Sequence, residues 1–390
     1  MTGDVSIWAY PWDLFDLGLA PVRRRMDEIG LNMISVATSY HAGRFLQPGN
    51  PRRQVYFPQD GTVYYQMDPA RWSGQSIVPQ QADIVAAEGD MLAGLIRQRD
   101  AGGPGVSCWT VCLHNTRLGM KHPEHVMRTA MGDAHHYALC PSSPAARQYV
   151  VGMAREISQV YTPNRIELES PDFMGFDHGF HHEKDGLGLL PEDRFLLGVC
   201  FCDHCLASAE AANIPAKAAQ AEVARVLTAS FARELPVAQF PDFPSVGAAA
   251  FQGHDALAAY LDWRSSPVTA LIAEIRAEMH AETELLLIDA EGTEAGGVNL
   301  PEIAPHLDGV LHCAYETATD RIGQVLSDTR KILGPDRKLI AGFQMFYPNV
   351  KGADDLHDRV SAARDHADGF NFYNLGLVPD ARLDWIRHSL

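Results

Sequence analysis

The sequence predicts a (β/α)8 barrel, the TIM-barrel fold, with elaborated loops after its strands. Eight short apolar, β-branched segments recur along the 390 residues, and a polar or Gly/Pro-rich stretch and a helical pattern follow them. Strands that alternate with helices pair in parallel through right-handed crossovers. No Gly-rich phosphate-binding turn follows an early strand, which disfavours the alternative of a doubly wound open sheet. Eight such units therefore favour a closed barrel.

Each predicted strand is a run of apolar and β-branched residues, and several follow a helical pattern directly. An amphipathic segment at 21–30 precedes the second strand. Further helical patterns precede the fourth, fifth, seventh and eighth strands, at 145–157, 268–279, 321–334 and 356–367. In chain order, the predicted strands are 5–10, 33–40, 106–114, 165–170, 284–289, 309–315, 338–346 and 369–374.

A long segment interrupts the pattern after the fourth strand. Residues 171–255 contain a cysteine cluster, an Ala-rich helical region at 206–232 and a Pro-rich break at 236–247. We interpret them as an insertion on the barrel, so that residues 1–390 form a single domain. The segment 47–67 after the second strand is also long and rich in Pro, Gly and aromatic residues. Long loops after barrel strands commonly build substrate pockets.

Composition favours an enzyme in the cytoplasm. The formal net charge of −17 disfavours nucleic acid and anionic membranes as partners. No signal-peptide pattern and no apolar stretch of about 20 residues are present. Seven cysteines, three of them tightly clustered, indicate reduced thiols rather than a disulfide framework. We expect a small neutral or cationic substrate and no organic cofactor, and a homo-oligomer is compatible with this sequence.

Acidic residues at the strand ends are the candidate catalytic groups. Barrel enzymes carry their chemistry at the C-terminal ends of the strands, where side chains alternate inward and outward. In the fourth strand Glu167 and Glu169 face inward, with Glu169 nearest the mouth and Glu167 deeper, as an ion-pair partner. We expect Glu169 as general acid/base and Asp289, at the end of the fifth strand, as nucleophile or water-activating base, with Glu316 as its substitute.

Polar and aromatic side chains near the same ends indicate a carbohydrate substrate. Sugar hydroxyls need polar partners and sugar rings need aromatic faces. The loop after the fourth strand is rich in histidine and could close over a substrate. A metal site of His178, His181 and His182 has no framing strand or helix there. The expected substrate-binding residues are Tyr10, Tyr40, His41, Arg44, His114, Asn115, His178, His182, His312, Gln344, Asn371 and Tyr373.

The cysteine cluster has the spacing of a metal site. Cys200, Cys202 and Cys205 form a C-x-C-x-x-C pattern, and thiolates at this spacing can bind one tetrahedral Zn²⁺. The fourth ligand must come from elsewhere, and Cys140 is the best candidate. The alternative is a group of free thiols. The remaining cysteines lie in predicted strands as small core residues.

Residues 139–149, L-C-P-S-S-P-A-A-R-Q-Y, resemble the C-P-N-S-P-x-Y-R segment of glycoside hydrolase family 42 β-galactosidases. The resemblance implies a clan A type barrel in which Cys140, Cys200, Cys202 and Cys205 bind a structural zinc. It covers roughly residues 135–280. Two departures matter: the Asn-Glu pair that ends strand four in that family is here Glu169 without the Asn, and its strand-seven nucleophile is here Gln344. The family's retaining mechanism therefore does not transfer residue by residue.

Three functions remain open from the sequence. The first is a glycoside hydrolase that cleaves a small glycoside or oligosaccharide. The second is a barrel sugar isomerase, epimerase or lyase with a divalent metal held by Glu169, Asp289 and histidines. The third is a non-catalytic carbohydrate-binding barrel, which the glutamine at position 344 would suit.

Overall fold

The computed structural model describes residues 3–178 and 182–390, and its centre is a closed barrel of eight parallel strands. Each strand pairs with the next in sequence, and β8 pairs with β1, which completes the ring. The predicted (β/α)8 fold is confirmed. The strands are β1 (Val5–Ala9), β2 (Met33–Tyr40), β3 (Gly105–Val111), β4 (Arg165–Glu169), β5 (Glu284–Asp289), β6 (Gly309–Cys313), β7 (Lys338–Gln344) and β8 (Gly369–Tyr373).

Helices surround the barrel, and four of them follow β4 before the helix that leads into β5. Apolar residues between strands and helices form the main core, and a second apolar cluster fills the barrel interior. The α-helices are α1 (Pro11–Leu17), α2 (Leu19–Ile29), α3 (Asp83–Glu88), α4 (Met91–Asp100), α5 (Thr116–Lys121), α6 (Pro144–Glu156), α7 (Pro191–Leu197), α8 (Asp203–Ala211), α9 (Ala216–Ala232), α10 (Asp255–Trp263), α11 (Ser265–Glu278), α12 (Leu300–Ile303), α13 (Thr319–Leu333), α14 (Ala353–Ala363) and α15 (Asp380–Ser389).

Short strands decorate two of the loops at the C-terminal ends of the barrel strands. After β2, Phe45–Leu46 pairs with Val55–Tyr56, and Thr62–Val63 adds to β2 itself. After β3, Val126–Arg128 and Ala134–Leu139 form an antiparallel hairpin. The segment 47–67, which the sequence marks as long, is thus partly ordered by local pairing.

Strand β3 ends earlier than predicted because the chain leaves the barrel. It stops at Val111, and His114 instead forms an antiparallel bridge with Ala138 of the following hairpin. The residues between, Cys112 and Leu113, are buried like strand residues, which explains the longer prediction. A side chain at position 114 therefore cannot be placed by extending the alternation of β3.

A β-bulge in β2 changes which residues face the barrel interior. The pairing of β2 with β3 shifts between Ala37 and Ser39. As a result Tyr40 packs in the interior cluster, while the Ser39 hydroxyl donates to the Val111 carbonyl at 2.7 Å. A bulge adds one residue to a strand and reverses the inward-outward order after it. Alternation alone would have placed Ser39 inside.

A buried ion pair lies in the middle of the barrel. Arg165 and Glu167 are both fully buried, and the Arg165 Nε donates to the Glu167 Oε1 at 3.0 Å. The Trp8 indole and the Ser35 hydroxyl donate to the other oxygen of Glu167. Arg165 also reaches Asp4 at 3.2 Å. Glu167 is therefore the structural ion-pair partner that the sequence predicted.

We expect Glu167→Ala to lower the free energy of unfolding by about 3–5 kcal/mol, because it leaves the Arg165 guanidinium buried without its main partner. Urea denaturation at neutral pH measures the change. Glu284→Ala is the matched control, since Glu284 pairs with Lys338 at a half-exposed position, and such pairs contribute about 1 kcal/mol or less. Equal losses in the two variants would contradict this assignment.

Candidate functional site

Glu169 lies at the C-terminal end of β4, on the inward face of the strand. It follows Glu167 by two residues, so the alternation of the strand places both carboxyls inside the barrel. The Trp109 indole N–H of β3 donates to the Glu169 carboxyl. Burial raises the pKa of Glu169 to about 7, although the Trp109 hydrogen bond works in the opposite direction. Glu169 can therefore hold a proton close to neutral pH.

Aromatic side chains surround this carboxyl. The Tyr373 ring packs edge-on against Trp8 with centroids 5.5 Å apart, and stacks with Tyr315 at 5.9 Å. The hydroxyl of Tyr10 bonds that of Tyr373 at 2.6 Å and that of Tyr40 at 3.1 Å. The negative charge of Glu169 contributes to the raised pKa of Tyr40 and Tyr373, after burial and other neighbours. The surroundings of Glu169 are thus partly apolar, with phenol hydroxyl groups nearby.

Two predicted sugar contacts lie too deep to touch a substrate. Tyr10 is fully buried, and its hydroxyl is hydrogen-bonded to those of Tyr40 and Tyr373. Asn371 is also fully buried and donates to the Ser6 hydroxyl at 2.8 Å. Asn371 belongs to the layer below Tyr373, since it pairs at the level of Ser6. Tyr10 instead follows β1 and is covered by the rings of Trp12 in α1 and Phe45 in the loop after β2.

Asp172 is a second titratable carboxyl near Glu169. It follows β4 by three residues, and burial raises its pKa to about 7, with smaller contributions from the charges of Asp289 and Glu169. Asp172 is therefore within electrostatic range of the other two carboxylates. Asp172 lines a cavity of about 420 Å³, together with Ser170, Phe173, His178, Arg194 and Arg264. We call this space the Asp172 cavity.

Asp289 does not face the barrel interior, which corrects the sequence prediction. Leu286 and Ile288 pack in the interior cluster, so Asp289 shares the outer face of β5 with Leu287. Its Oδ2 lies 3.1 Å from the Nδ1 of His312 on β6, and the Thr293 hydroxyl donates to its Oδ1 at 2.6 Å. The run E-L-L-L-I-D is apolar on both faces of the strand, so alternation could not assign its inward side.

Three predicted histidines meet at the ends of β2, β3 and β4. The His41 and His114 rings are 4.0 Å apart, and the His178 Nε2 lies 3.0 Å from the His114 Nδ1. Burial lowers the pKa of all three rings, to about 2 for His114 and about 4 for His178. They are neutral at physiological pH and offer hydrogen bonds without charge.

The other predicted site residues fall into different settings. Gln344 is buried on the inward face of β7 and donates to the Tyr315 carbonyl at 3.4 Å. The Asn115 side chain accepts from the Leu118 N–H as the N-cap of α5 and donates to the Gly61 carbonyl, so it holds loops together. Position 181 lies outside the described residues. Exposed loop positions are occupied by Arg44, His182 and Glu316.

Sequence reasoning missed Trp8, Trp109 and Asp172, and alternation in the sixth strand did not settle whether Tyr315 faces inward. The two tryptophans occupy inward positions of β1 and β3, and strand alternation could have indicated them. Tyr315 and Asp172 lie in loops just after a strand. Only their proximity to Glu169 assigns these two residues to the site, and that proximity results from the fold and not from a local sequence pattern.

The four predicted cysteines form a buried cluster. Among the residues that the structure describes, they are the group of His, Cys, Asp and Glu side chains spaced to hold a metal ion. The Cys140 Sγ lies 3.4, 3.5 and 3.9 Å from those of Cys205, Cys202 and Cys200. Four thiolates at about 2.3 Å from one tetrahedral zinc are about 3.8 Å apart, so the donor set fits.

Backbone groups complete this cluster. The N–H groups of Ser142 and Arg128 donate to the sulfurs of Cys140 and Cys200, both at 3.4 Å. Cys140 lies just before α6, which leads into β4, whereas Cys200 to Cys205 begin α8 of the insertion. The cluster therefore ties the insertion to the segment that carries the candidate active site.

The raised carboxyl pKa values predict an unusual pH dependence of stability. Unfolded carboxyls titrate near about pH 4, so between about pH 4 and 7 the folded protein holds these protons more tightly. The free energy of unfolding should fall as the pH rises through this window, and the fall should be shallower in Glu169→Gln. Urea denaturation at pH 5, 6 and 7 measures it. Asp13, whose pKa is also about 7, contributes equally to both proteins.

The exposed Glu282→Gln variant is the control for this experiment and should keep the slope of the parent protein. If Glu169→Gln has the same slope as the parent, the carboxyl of Glu169 is not protonated in the folded state at pH 6.

None of the helices within 3–178 and 182–390 combines the length and apolar character needed to cross a bilayer.

No protein-family model and no curated protein sequence matches this chain. Solved structures do. An α-L-fucosidase isoenzyme 2 from Paenibacillus thiaminolyticus superimposes with a TM-score of 0.51 and 12% identity over 94% of this chain and 44% of that one.

A β-galactosidase from Rahnella sp. R3 superimposes with a TM-score of 0.53 and 15% identity, over 95% of this chain and 50% of that one. This chain thus spans about half the length of each of these two proteins. At such identities the similarity shows a shared fold, and the fold is that of barrels found in glycoside hydrolases.

Proposed function

We propose that this protein is a glycoside hydrolase that cleaves a small glycoside or oligosaccharide, with Glu169 as the general acid/base. The observation that carries the proposal is the setting of Glu169: a carboxyl at the C-terminal end of β4, among aromatic rings, with a pKa raised to about 7. Such a carboxyl is protonated often enough at neutral pH to donate to a leaving oxygen.

Asp172 is the partner carboxylate in this proposal. Two nearby carboxyls repel each other when both are ionised, so one keeps its proton while the other is charged. As the glycosidic C–O bond breaks, Glu169 gives its proton to the leaving oxygen. The Asp172 carboxylate attacks the anomeric carbon or takes a proton from an attacking water. A separation of about 5 Å between reacting carboxyls gives retention, and about 6.5–9.5 Å gives inversion.

The surroundings support a neutral sugar as the substrate. Tyr40, Tyr315 and Tyr373 provide aromatic surroundings, and the neutral His114 and His178 offer hydrogen bonds. The formal net charge of −17 opposes the approach of polyanions. The fucosidase and β-galactosidase with which the fold is shared are named for reactions of the same class.

We also propose that the cysteine cluster binds a structural zinc. A zinc ion would supply no chemistry at the mouth and would instead fix the insertion beside α6. The Tyr260 hydroxyl donates to the Cys200 carbonyl at 2.6 Å, and four residues later on the same segment Arg264 lines the Asp172 cavity. Metal binding at the cluster would thus stabilise one wall of the candidate site.

Glu169→Gln should lower kcat on glycosides with poor leaving groups by about 10²–10⁴-fold, since it removes the proton donor. The loss should be much smaller for dinitrophenyl glycosides, whose leaving group needs no protonation. A panel of aryl and alkyl glycosides, run with the parent and with Glu282→Gln as control, measures this contrast. Equal losses on both leaving groups would contradict a general-acid role.

The same assay separates the alternatives. Activity that disappears with a chelator while the cysteine-bound metal remains would favour a metal-dependent isomerase, epimerase or lyase. Sugar binding that Glu169→Gln leaves unchanged, with no turnover of any glycoside by the parent, would favour a carbohydrate-binding barrel.

The parent protein should purify with about one zinc per chain, and Cys202→Ser should bind it more weakly, because one thiolate ligand is lost. Elemental analysis of the dialysed proteins and thermal melting in the presence and absence of a chelator measure the effect. Cys108→Ser, a substitution of a buried thiol in β3 remote from the cluster, is the control for loss of a cysteine. Equal zinc content in all three proteins would refute the site.

A further inference from the structure

A groove of about 750 Å³ lies against the outer face of β5 and β6. The connection between these strands is built from short helical turns, of which α12 has four residues, so the helix layer is thin at this point. We call this space the outer groove. It adjoins the Asp172 cavity, with which it shares Phe195, Phe243, Arg264, Gly292, Thr293 and Ala295.

His312 is a buried polar group on the wall of the outer groove that has an unused hydrogen-bonding atom. The ring is 3% exposed, and its Nδ1 faces the Asp289 carboxylate. Since that carboxylate can only accept, Nδ1 is the nitrogen that donates to it, and in the neutral tautomer with this proton Nε2 has a lone pair. Nε2 is buried and has no hydrogen-bond partner among the described residues.

The Asp289 carboxylate holds His312 in this state. Its Oδ1 accepts from the Thr293 hydroxyl at 2.6 Å, so both oxygens are engaged and the carboxylate cannot rotate freely. A carboxylate that orients an imidazole in this way fixes the tautomer and directs the other nitrogen. A buried acceptor without a partner destabilises the protein, unless a ligand donates to it.

The lining of the outer groove selects the class of ligand. Acceptors are provided by His312 Nε2 and by Glu291, while Arg321 donates at the rim and Phe195 and Phe243 offer apolar surface. Acidic residues outnumber basic ones among the lining residues, which opposes an anionic ligand. Hydroxyl donors on a partly apolar, uncharged molecule suit these walls, and this is the chemistry of a neutral sugar.

We propose that the outer groove binds the distal sugar units of a neutral oligosaccharide whose scissile bond lies at Glu169, with His312 Nε2 accepting a hydroxyl. The inference rests on the proposed function and deepens it, since it makes the substrate an oligosaccharide of several units. The outer groove and the Asp172 cavity share a wall, and Asp172 itself lies within electrostatic range of Glu169 and Asp289.

Binding experiments with the full-length Glu169→Gln protein test this proposal without turnover. The probes are ladders of β-1,4-linked glucose, galactose and N-acetylglucosamine oligosaccharides of two to six units. Calorimetry should show affinity rising with length for one ladder. In spectra of ¹⁵N-histidine-labelled protein, the Nε2 signal of His312 should move upfield with the longer members only.

Adding His312→Phe should weaken binding of the five-unit oligosaccharide about tenfold, because the buried acceptor is lost. His357→Phe, on the exposed face of α14, is the control and should bind like the parent. The labelled spectra need no change at position 312, so they remain decisive if His312→Phe does not fold.

Affinity that does not depend on length, an unmoved His312 signal with oligosaccharide bound, or no binding by any of the three ladders overturns the proposal. Turnover of aryl glycosides combined with length-independent binding would reject the outer groove and leave the catalytic proposal standing. Length-dependent binding at His312 without any turnover would reject the catalytic proposal instead.

Discussion

The buried pairing of Arg165 with Glu167 is the constraint on which the candidate active site depends. Glu167 is held by the guanidinium of Arg165 on its own strand and by an indole and a hydroxyl from β1 and β2, so β4 has one register that satisfies the bonds to the other two strands. A shift by one residue would turn these charges toward the apolar helix layer. Glu169 reaches the mouth because it lies two residues further along the same face.

The insertion after β4 turns this barrel end into a shaped site. It supplies Phe195 and Phe243, two of the six residues that both cavities share. The cysteine cluster attaches the start of α8 to the segment before α6, and thus to β4 itself. A wall built from a long excursion of the chain is therefore fixed to the strand that carries Glu169, even though many residues separate them in sequence.

Much of the fold could be predicted because it depends on local patterns. The eight strands were located from apolar runs, and β2 and β5 match their predicted bounds. Three members of the cysteine cluster were predicted from their short-range C-x-C-x-x-C spacing, whereas Cys140, 60 residues from Cys200, was added as a candidate that the family resemblance supports. Inward positions were correct for β4, β7 and β8, where alternation is regular. The inward assignment of Asp289 was wrong, because both faces of β5 are apolar. The bulge in β2 and the early end of β3 could not be predicted, because they result from pairing with distant segments. Asp172 belongs to the site only through the path of the loop after β4.

The buried hydroxyl of Tyr10 has a consequence for what the mouth can present. Tyr10 touches the hydroxyls of both Tyr40 and Tyr373, yet it has a single proton to give. It donates to one of them and accepts from the other. The tyrosine that accepts the hydrogen bond from Tyr10 can use its own O–H to donate outward. The other tyrosine donates its O–H to Tyr10, so its hydroxyl can only accept a further hydrogen bond. The hydroxyls of Tyr40 and Tyr373 therefore have opposite hydrogen-bonding roles toward a ligand. If one of them changes from donor to acceptor, the other must change from acceptor to donor.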